Sequence, residues 1–309
     1  MKVAFLFSGQ YRNIPNKLFQ SSITNLVENI NYGIFCYSWD EIGESLDHGR
    51  YKPKINSEVN SFLEIKTRFK DFNLVNLKTE SYKEFKRNIS KNHLRILNSK
   101  KYHRGTINSL PQIYTLSKCY ELFLPFQNEY DLVFRCRFDS IFIHPLDIYP
   151  LTKYIDEETI YNLNFGRAYY PSRVYDIFFG GSPKSMRFIK DIWSSIPFLV
   201  ENEFNNKQDK RDACRLIYLS AHLNKIKVSS LKTRICDIYR PFKDNYYERY
   251  LISSHLISLK IRKESLKSIP YIFKWFRERD IKCINIFISL LKASILIFFS
   301  YLKRIKYFL

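Results

Sequence analysis

The 309-residue chain carries 50 Lys+Arg against 30 Asp+Glu, a formal net charge of +20, with 45% hydrophobic and 17% aromatic residues. That hydrophobic content excludes a disordered basic tail and suffices for a sizeable core. Only 8 glycines are present, and they form neither GxGxxG nor GxxxxGK[ST], which sets aside the dinucleotide fingerprint and the P-loop.

Taken in chain order, the first element is Val3–Phe7, a continuous apolar run ended by Ser8-Gly9, which reads as a fully buried parallel strand. Pro15–Ile30 has helical spacing at Leu18, Ile23 and Leu26, and a second strand is expected at Gly33–Cys36. This β-α-β opening implies a right-handed crossover and a mainly parallel sheet. From Asp40 to Tyr102 the chain is polar and weakly periodic, read as surface loops and helices with one strand near Phe72–Leu77. A helix is expected over Leu110–Phe123, a buried strand over Tyr130–Phe134, and helices over Ser185–Glu201 and Asp209–Leu223. The composition shifts near residue 245, which divides a domain over 1–245 from an extension over 246–309.

Two segments could carry chemistry. The first is Ser8-Gly9-Gln10-Tyr11-Arg12 at the end of the opening strand. Ligands of open α/β sheets lie beyond the carboxyl ends of the strands; there a glycine admits close backbone approach and Arg12 offers a fork of donors. The same segment also reads as a plain βα turn. The second is Arg135-Cys136-Arg137-Phe138-Asp139. If the strand continues, period 2 places Arg135, Arg137 and Asp139 on one face and Phe134, Cys136 and Phe138 on the other. Charges directly after a buried strand need partners. A diphosphate with Mg²⁺ or Mn²⁺ on Asp139 would serve all three, and so would an internal Arg–Asp salt bridge.

Trp39-Asp40 follows the second strand, where it could meet a nucleotide base, although Asp40 also suits a helix N-cap. The six cysteines show no CxxC pair and the six histidines no HxxxH or HExxH spacing, so zinc, disulfide and metalloprotease readings have no footing.

Five segments in order are similar to a family of bacterial glycosyltransferase-like proteins of capsule and O-antigen gene clusters: SGQYR; FCYSWD, ending at Asp40; QIYTLSKCYEL, from Gln112; YDLVFRCRFDS; and DIFFGGSPKSM. The likeness spans roughly residues 1–225. It implies an α/β, GT-A-like, Rossmann-type mixed and mainly parallel sheet flanked by helices, with a C-terminal helical tail added here. It implies hexosyl-type transfer from a nucleotide-diphosphate sugar to a glycan or lipid-linked glycan, with contacts from Ser8, Gly9, Gln10, Arg12, Trp39, Asp40, Gln112, Arg135 and Arg137. Such enzymes hold a divalent cation through a DxD motif; Asp139 matches its last residue, but Arg137 stands where the first Asp would be. The segment from Asp176 to Gly181 then lies by sugar and acceptor, which makes Asp176 the candidate for a general base or a sugar-hydroxyl ligand, beside Asp139 as the second catalytic carboxylate. Gly180, Gly181, Asp209 and Asp212 are the acceptor-side candidates.

The C-terminal 59 residues hold 12 Lys+Arg against 3 Asp+Glu. Ile284–Leu302 has one charge, Lys292, and as a helix would be about 28 Å long, enough to cross a bilayer. Asn285, Ser289, Lys292, Ser300 and Lys303 share one stripe, however, and a central Lys costs roughly 2.5–3.5 kcal/mol on insertion. An amphipathic helix lying in an anionic interface avoids that cost, as does one packed on the domain or a second subunit. Together with the N-terminus, whose five-residue apolar run is too short for a secretory h-region, this gives the expectation of a cytoplasmic protein held peripherally on the inner face of the membrane. Nucleic acid is not an expected partner: the basic excess sits beside the most apolar segment, and RNP, KH and helix-turn-helix signatures are missing. A noncatalytic relative that scaffolds an assembly is the other alternative.

Overall fold

A computed structural model describes residues 1–11, 16–41, 61–98, 104–142, 146, 148, 156–163, 173–202, 213–231 and 236–238. The expected C-terminal extension and its helix lie outside these residues. Among the described residues no helix is long and apolar enough to cross a membrane.

The chain divides into two units. The first comprises Met1–Asn13, Val27–Ser140 and Asp147–Thr233. It holds a seven-stranded sheet formed by β1 (Lys2–Gly9), β2 (Asn31–Trp39), β3 (Leu74–Glu80), β4 (Leu132–Cys136), β6 (Thr159–Leu163), β7 (Phe178–Gly181) and β8 (Lys227–Leu231). Strand order is β3-β2-β1-β4-β7-β6-β8. The pairs β3–β2, β2–β1 and β1–β4 are parallel, β7 runs antiparallel to both β4 and β6, and β6 and β8 are parallel. The mixed, mainly parallel sheet expected from the sequence is present. Its central strands are apolar on both sides because both faces are covered: every residue of β4 is buried, and so is all of β1 after Lys2.

One face, with Ala4, Leu6, Phe35, Tyr37, Val133 and Phe179, packs under α5 (Arg104–Phe123), α6 (Phe188–Asn202) and α7 (Ala213–Leu223). The other carries Phe7, whose ring meets Phe69, just past α2 (Ser61–Arg68), edge-on at 5.3 Å, and Phe134, which stacks on Phe178 at 5.0 Å. Two short helices, α3 (Tyr82–Asn88) and α4 (Lys91–Asn98), complete the polar stretch that the sequence leaves as loops and helices.

The second unit comprises Ile14–Leu26, Ile141–Leu146 and Arg234–Leu309. Its described part is most of α1 (Asn16–Val27) and a two-stranded sheet of β5 (Ser140–Phe142) and β9 (Cys236–Ile238). The Phe142 N–H donates to Ser22 Oγ (2.8 Å) and Asn25 Nδ2 donates to the Phe142 carbonyl (3.1 Å), fixing α1 to β5.

Candidate functional site

Four neighbouring parallel strands, β3, β2, β1 and β4, bring their carboxyl ends to one edge of the sheet. The chain steps from β1 to β2 to β3 in one direction and then returns to place β4 on the far side of β1. That reversal between β1 and β4 is where open α/β sheets form their ligand crevice. Because β7 is antiparallel to β4, it starts at this edge, with Phe178 opposite Cys136. Asp176, two residues before β7, is thereby delivered to the end of β4.

There Arg137 grips Asp139 through a fork, Nε to Oδ1 at 2.7 Å and Nη2 to Oδ2 at 2.8 Å, and its Nη1 donates to Asp176 Oδ2 at 3.0 Å. Asp176 is held further by Gln112 Nε2 on α5, which donates to Oδ2, and by the Cys214 thiol on α7, 3.4 Å from Oδ1. Burial is graded: the Asp139 side chain is 2% exposed, while Arg137 and Asp176 are each 14% exposed.

Arg135 lies one layer beneath, in register with Leu6 of β1 and Phe179 of β7. It is fully buried, and none of its three guanidinium nitrogens has a hydrogen-bond partner among the described residues. Burial pushes it down to about 10, opposed by the charge of Asp176. Burial likewise works against the charge on Arg137, but Asp139 and Asp176 overrule it and hold this guanidinium above its ordinary value. For Asp176 burial favours the neutral acid; the charges of Arg137 and Arg135, with hydrogen bonds from Gln112 and Cys214, keep it ionised and below 3.8.

Gln10 and Tyr11 follow β1 at the same edge of the sheet. Gly9 ends β1 with φ +115°, a conformation that side chains disfavour. The Tyr11 N–H donates to Ser38 Oγ on β2 at 3.1 Å, tying the loop down, and Gln10 is half-buried. Ser8 Oγ and Asp40 Oδ1 are buried without a hydrogen-bond partner among the described residues. Together with Arg135 they place buried polar atoms without a described hydrogen-bond partner on β1, just past β2 and within β4.

A continuation of the strand through Asp139 is not observed. The strand stops at Cys136, and Arg137–Ser140 turns, the Ser140 N–H donating to the Arg137 carbonyl at 3.1 Å, so Arg137 and Asp139 meet across a turn. Gly180 and Gly181, the acceptor-side candidates, are buried positions of β7 paired with β4. A Cβ on Gly180 would lie 2.3 Å from both the Val133 carbonyl and the Phe134 ring, and one on Gly181 2.4 Å from Ser185 Oγ. Trp39, offered to a nucleotide base, is 4% exposed and packed among Tyr82, Phe85 and Tyr114, the last stacked on it at 5.8 Å. Arg12, Asp209 and Asp212 lie outside the described residues. Two groups escaped the sequence reading: Cys214, which no local pattern marks, and Glu80 at the end of β3, which accepts from both Tyr37 and Tyr114.

The site does not fit a divalent cation. Mg²⁺ and Mn²⁺ take oxygen ligands, and the protein's share of them is one or two free carboxylates. Both oxygens of Asp139 face Arg137, Asp176 is held by Arg137 and Gln112, and two guanidiniums stand beside them. Among the described residues no group of three or more His, Cys, Asp or Glu side chains could hold a metal ion.

No protein-family model matches the chain, and no curated protein sequence matches it. Among solved structures it is similar to mouse xyloside xylosyltransferase 1 in its apo form, at 7% identity and TM-score 0.40, over 75% of this chain and 85% of that one. It is also similar to the glycosyltransferase GlyE of Streptococcus pneumoniae TIGR4, at 15% identity and TM-score 0.37, over 87% of this chain and 51% of GlyE. Apo GlyE gives 14% identity and TM-score 0.38, over 74% of this chain and 44% of that one. The chain thus spans about half the length of GlyE.

Proposed function

We propose that this chain is a glycosyltransferase that moves a sugar from a nucleotide-diphosphate donor to a surface-polysaccharide acceptor of the O-antigen, capsule or lipopolysaccharide kind. The observation that carries the reading is the Arg135–Arg137–Asp139–Asp176 cluster at the reversal between β1 and β4, the place where this kind of sheet receives a nucleotide. The five motif segments in matching order support it independently.

The chemistry follows from the residues. Sugar transfer leaves negative charge on the departing diphosphate, and the two guanidiniums provide preorganised positive charge where it builds up. The acceptor hydroxyl must lose a proton, and Asp176 is the carboxylate at the rim able to take it. While Arg137 holds Asp176 it is a weak base; a phosphate that draws Arg137 away strengthens it. The basic, apolar extension over 246–309 would bring the site to an acceptor on the cytoplasmic face of the membrane.

The test is transfer or hydrolysis with a panel of UDP-, GDP-, CDP- and dTDP-sugars and glycan acceptors, with and without Mn²⁺. Turnover of any donor is the expected result. Inactivity toward every donor would replace the enzyme with a noncatalytic scaffold.

A further inference from the structure

We propose that the site holds its donor's diphosphate with guanidinium groups in place of a divalent cation, Arg137 as the direct phosphate ligand and Arg135 as the buried charge behind it. This inference rests on the nucleotide-sugar reading above and departs from it on the metal.

Charge balance is the first argument. A sugar nucleotide's diphosphate carries two negative charges. Sites lined by carboxylates need a cation to admit it, because acid side chains repel phosphate. This site is already neutral, with two guanidiniums against Asp139 and Asp176, so its carboxylates are offset without a metal ion. A divalent ion placed on Asp139 would have to displace Arg137 and then sit beside two like charges.

Geometry is the second. A guanidinium fork that bonds a carboxylate bonds a phosphate equally well. Arg137 is the cation at the surface of the cluster, 14% exposed, whereas Asp139 beneath it is 2% exposed. Its single bond to Asp176 is easier to exchange for a phosphate oxygen than its fork on Asp139. The exchange makes and breaks hydrogen bonds only.

Arg135 supplies the third. A fully buried guanidinium without a hydrogen bond on any of its three nitrogens burdens the fold unless something offsets it. Directly under the diphosphate's expected seat, it acts through its field on whatever anion binds above. Arg135 is therefore a positioning residue and Arg137 a ligand.

Calorimetric titration of the full chain with UDP, GDP, CDP, ADP and dTDP, first in EDTA and then with Mn²⁺ or Mg²⁺, tests this. At least one diphosphate is expected to bind in EDTA with a Kd within about threefold of its value with metal. Arg137→Ala should weaken that binding by about tenfold or more, Arg137→Lys less, and Arg135→Met by about tenfold without loss of fold by circular dichroism. Binding that appears only after metal is added would overturn the metal-free site and leave the transferase reading standing. Wild-type-like affinity in a folded Arg137→Ala protein would likewise remove Arg137 as the ligand. Failure of every diphosphate to bind in both conditions would overturn the nucleotide-sugar reading and this inference together.

Discussion

Arg137 and Asp139 are two residues apart and joined by two hydrogen bonds of 2.7 and 2.8 Å across the turn that ends β4. The pair anchors the turn, since Asp139 is almost wholly buried and Arg137 is its charged counterpart. Asp139→Asn replaces a charge-assisted fork with a weaker contact and leaves Arg137 dependent on Asp176. The expected loss is about 3 kcal/mol of folding stability, read as a lower urea midpoint at unchanged slope. Folded Asp139→Asn protein should still bind nucleoside diphosphate in EDTA, because Arg137 then has one competitor fewer. A carboxylate that served as a metal ligand would give the opposite result.

Asp176 makes stability pH-dependent in a definite direction. Its carboxyl titrates below 3.8 in the folded chain, because Arg137, Arg135, Gln112 and Cys214 favour the ionised form over the opposing effect of burial. A depressed folded value means that its contribution is present above 3.8 and is lost as the pH falls from there through the folded value. Asp176→Asn should lower stability at neutral pH by about 3 kcal/mol. It should also flatten the acid end of the curve, so that wild type and variant converge toward pH 2. Urea midpoints measured between about pH 6 and pH 2 check both.

Two glycines should fail on substitution for different reasons. Gly180→Ala drives a methyl to within 2.3 Å of the Val133 carbonyl, a backbone atom that cannot step aside without moving β4. The expected loss is about 2–3 kcal/mol. At Gly9 an added methyl meets open space, but φ +115° disfavours any side chain, and the expected loss is about 1–2 kcal/mol. Thermal melts separate the two in size. Gly9→Ala should in addition weaken nucleotide binding, because it lies at the crevice, whereas folded Gly180→Ala should bind normally.

The parts that were legible in the sequence are those written locally. Val3–Phe7 and Leu132–Phe134 are apolar at every position, as strands covered on both faces are, and Ser8-Gly9 marks where one of them stops. What was not legible depends on orientation in the sheet. Asp176 meets Arg137 across 39 residues only because β7 runs against β4, and nothing near residue 176 announces the direction of the next strand. The alternation Arg135, Arg137, Asp139 suggests a strand that continues, yet a tight turn brings the last two side by side as well. A glycine marks close approach, whether of a ligand or of a neighbouring strand, and Gly180 and Gly181 lie close against β4 and the loop after β7. Trp39, an aromatic at a strand end, stacks on Tyr114, a contact that no local pattern announces.

Arg135 should trade stability against binding. A fall from the ordinary arginine value to about 10 corresponds to roughly 3 kcal/mol against carrying this charge in the fold. For a base depressed on folding, that penalty is present in full below about pH 10 and is relieved only as the pH rises from there toward the ordinary arginine value, so it operates at neutral pH. Methionine has a similar reach and no polar atoms to leave unsatisfied, and the site is walled by Leu6, Phe179 and α5. Asp176 loses the weaker of its two cations and keeps Arg137, which bonds it directly. Arg135→Met is therefore expected to stabilise the chain by about 1–3 kcal/mol and to raise Tm by several degrees, while nucleoside diphosphate affinity falls. Differential scanning calorimetry paired with titration reads both in one preparation. A variant that melts lower than wild type would make Arg135 a structural counter-charge for Asp176; one that melts higher and binds worse is the signature of a charge kept for its ligand.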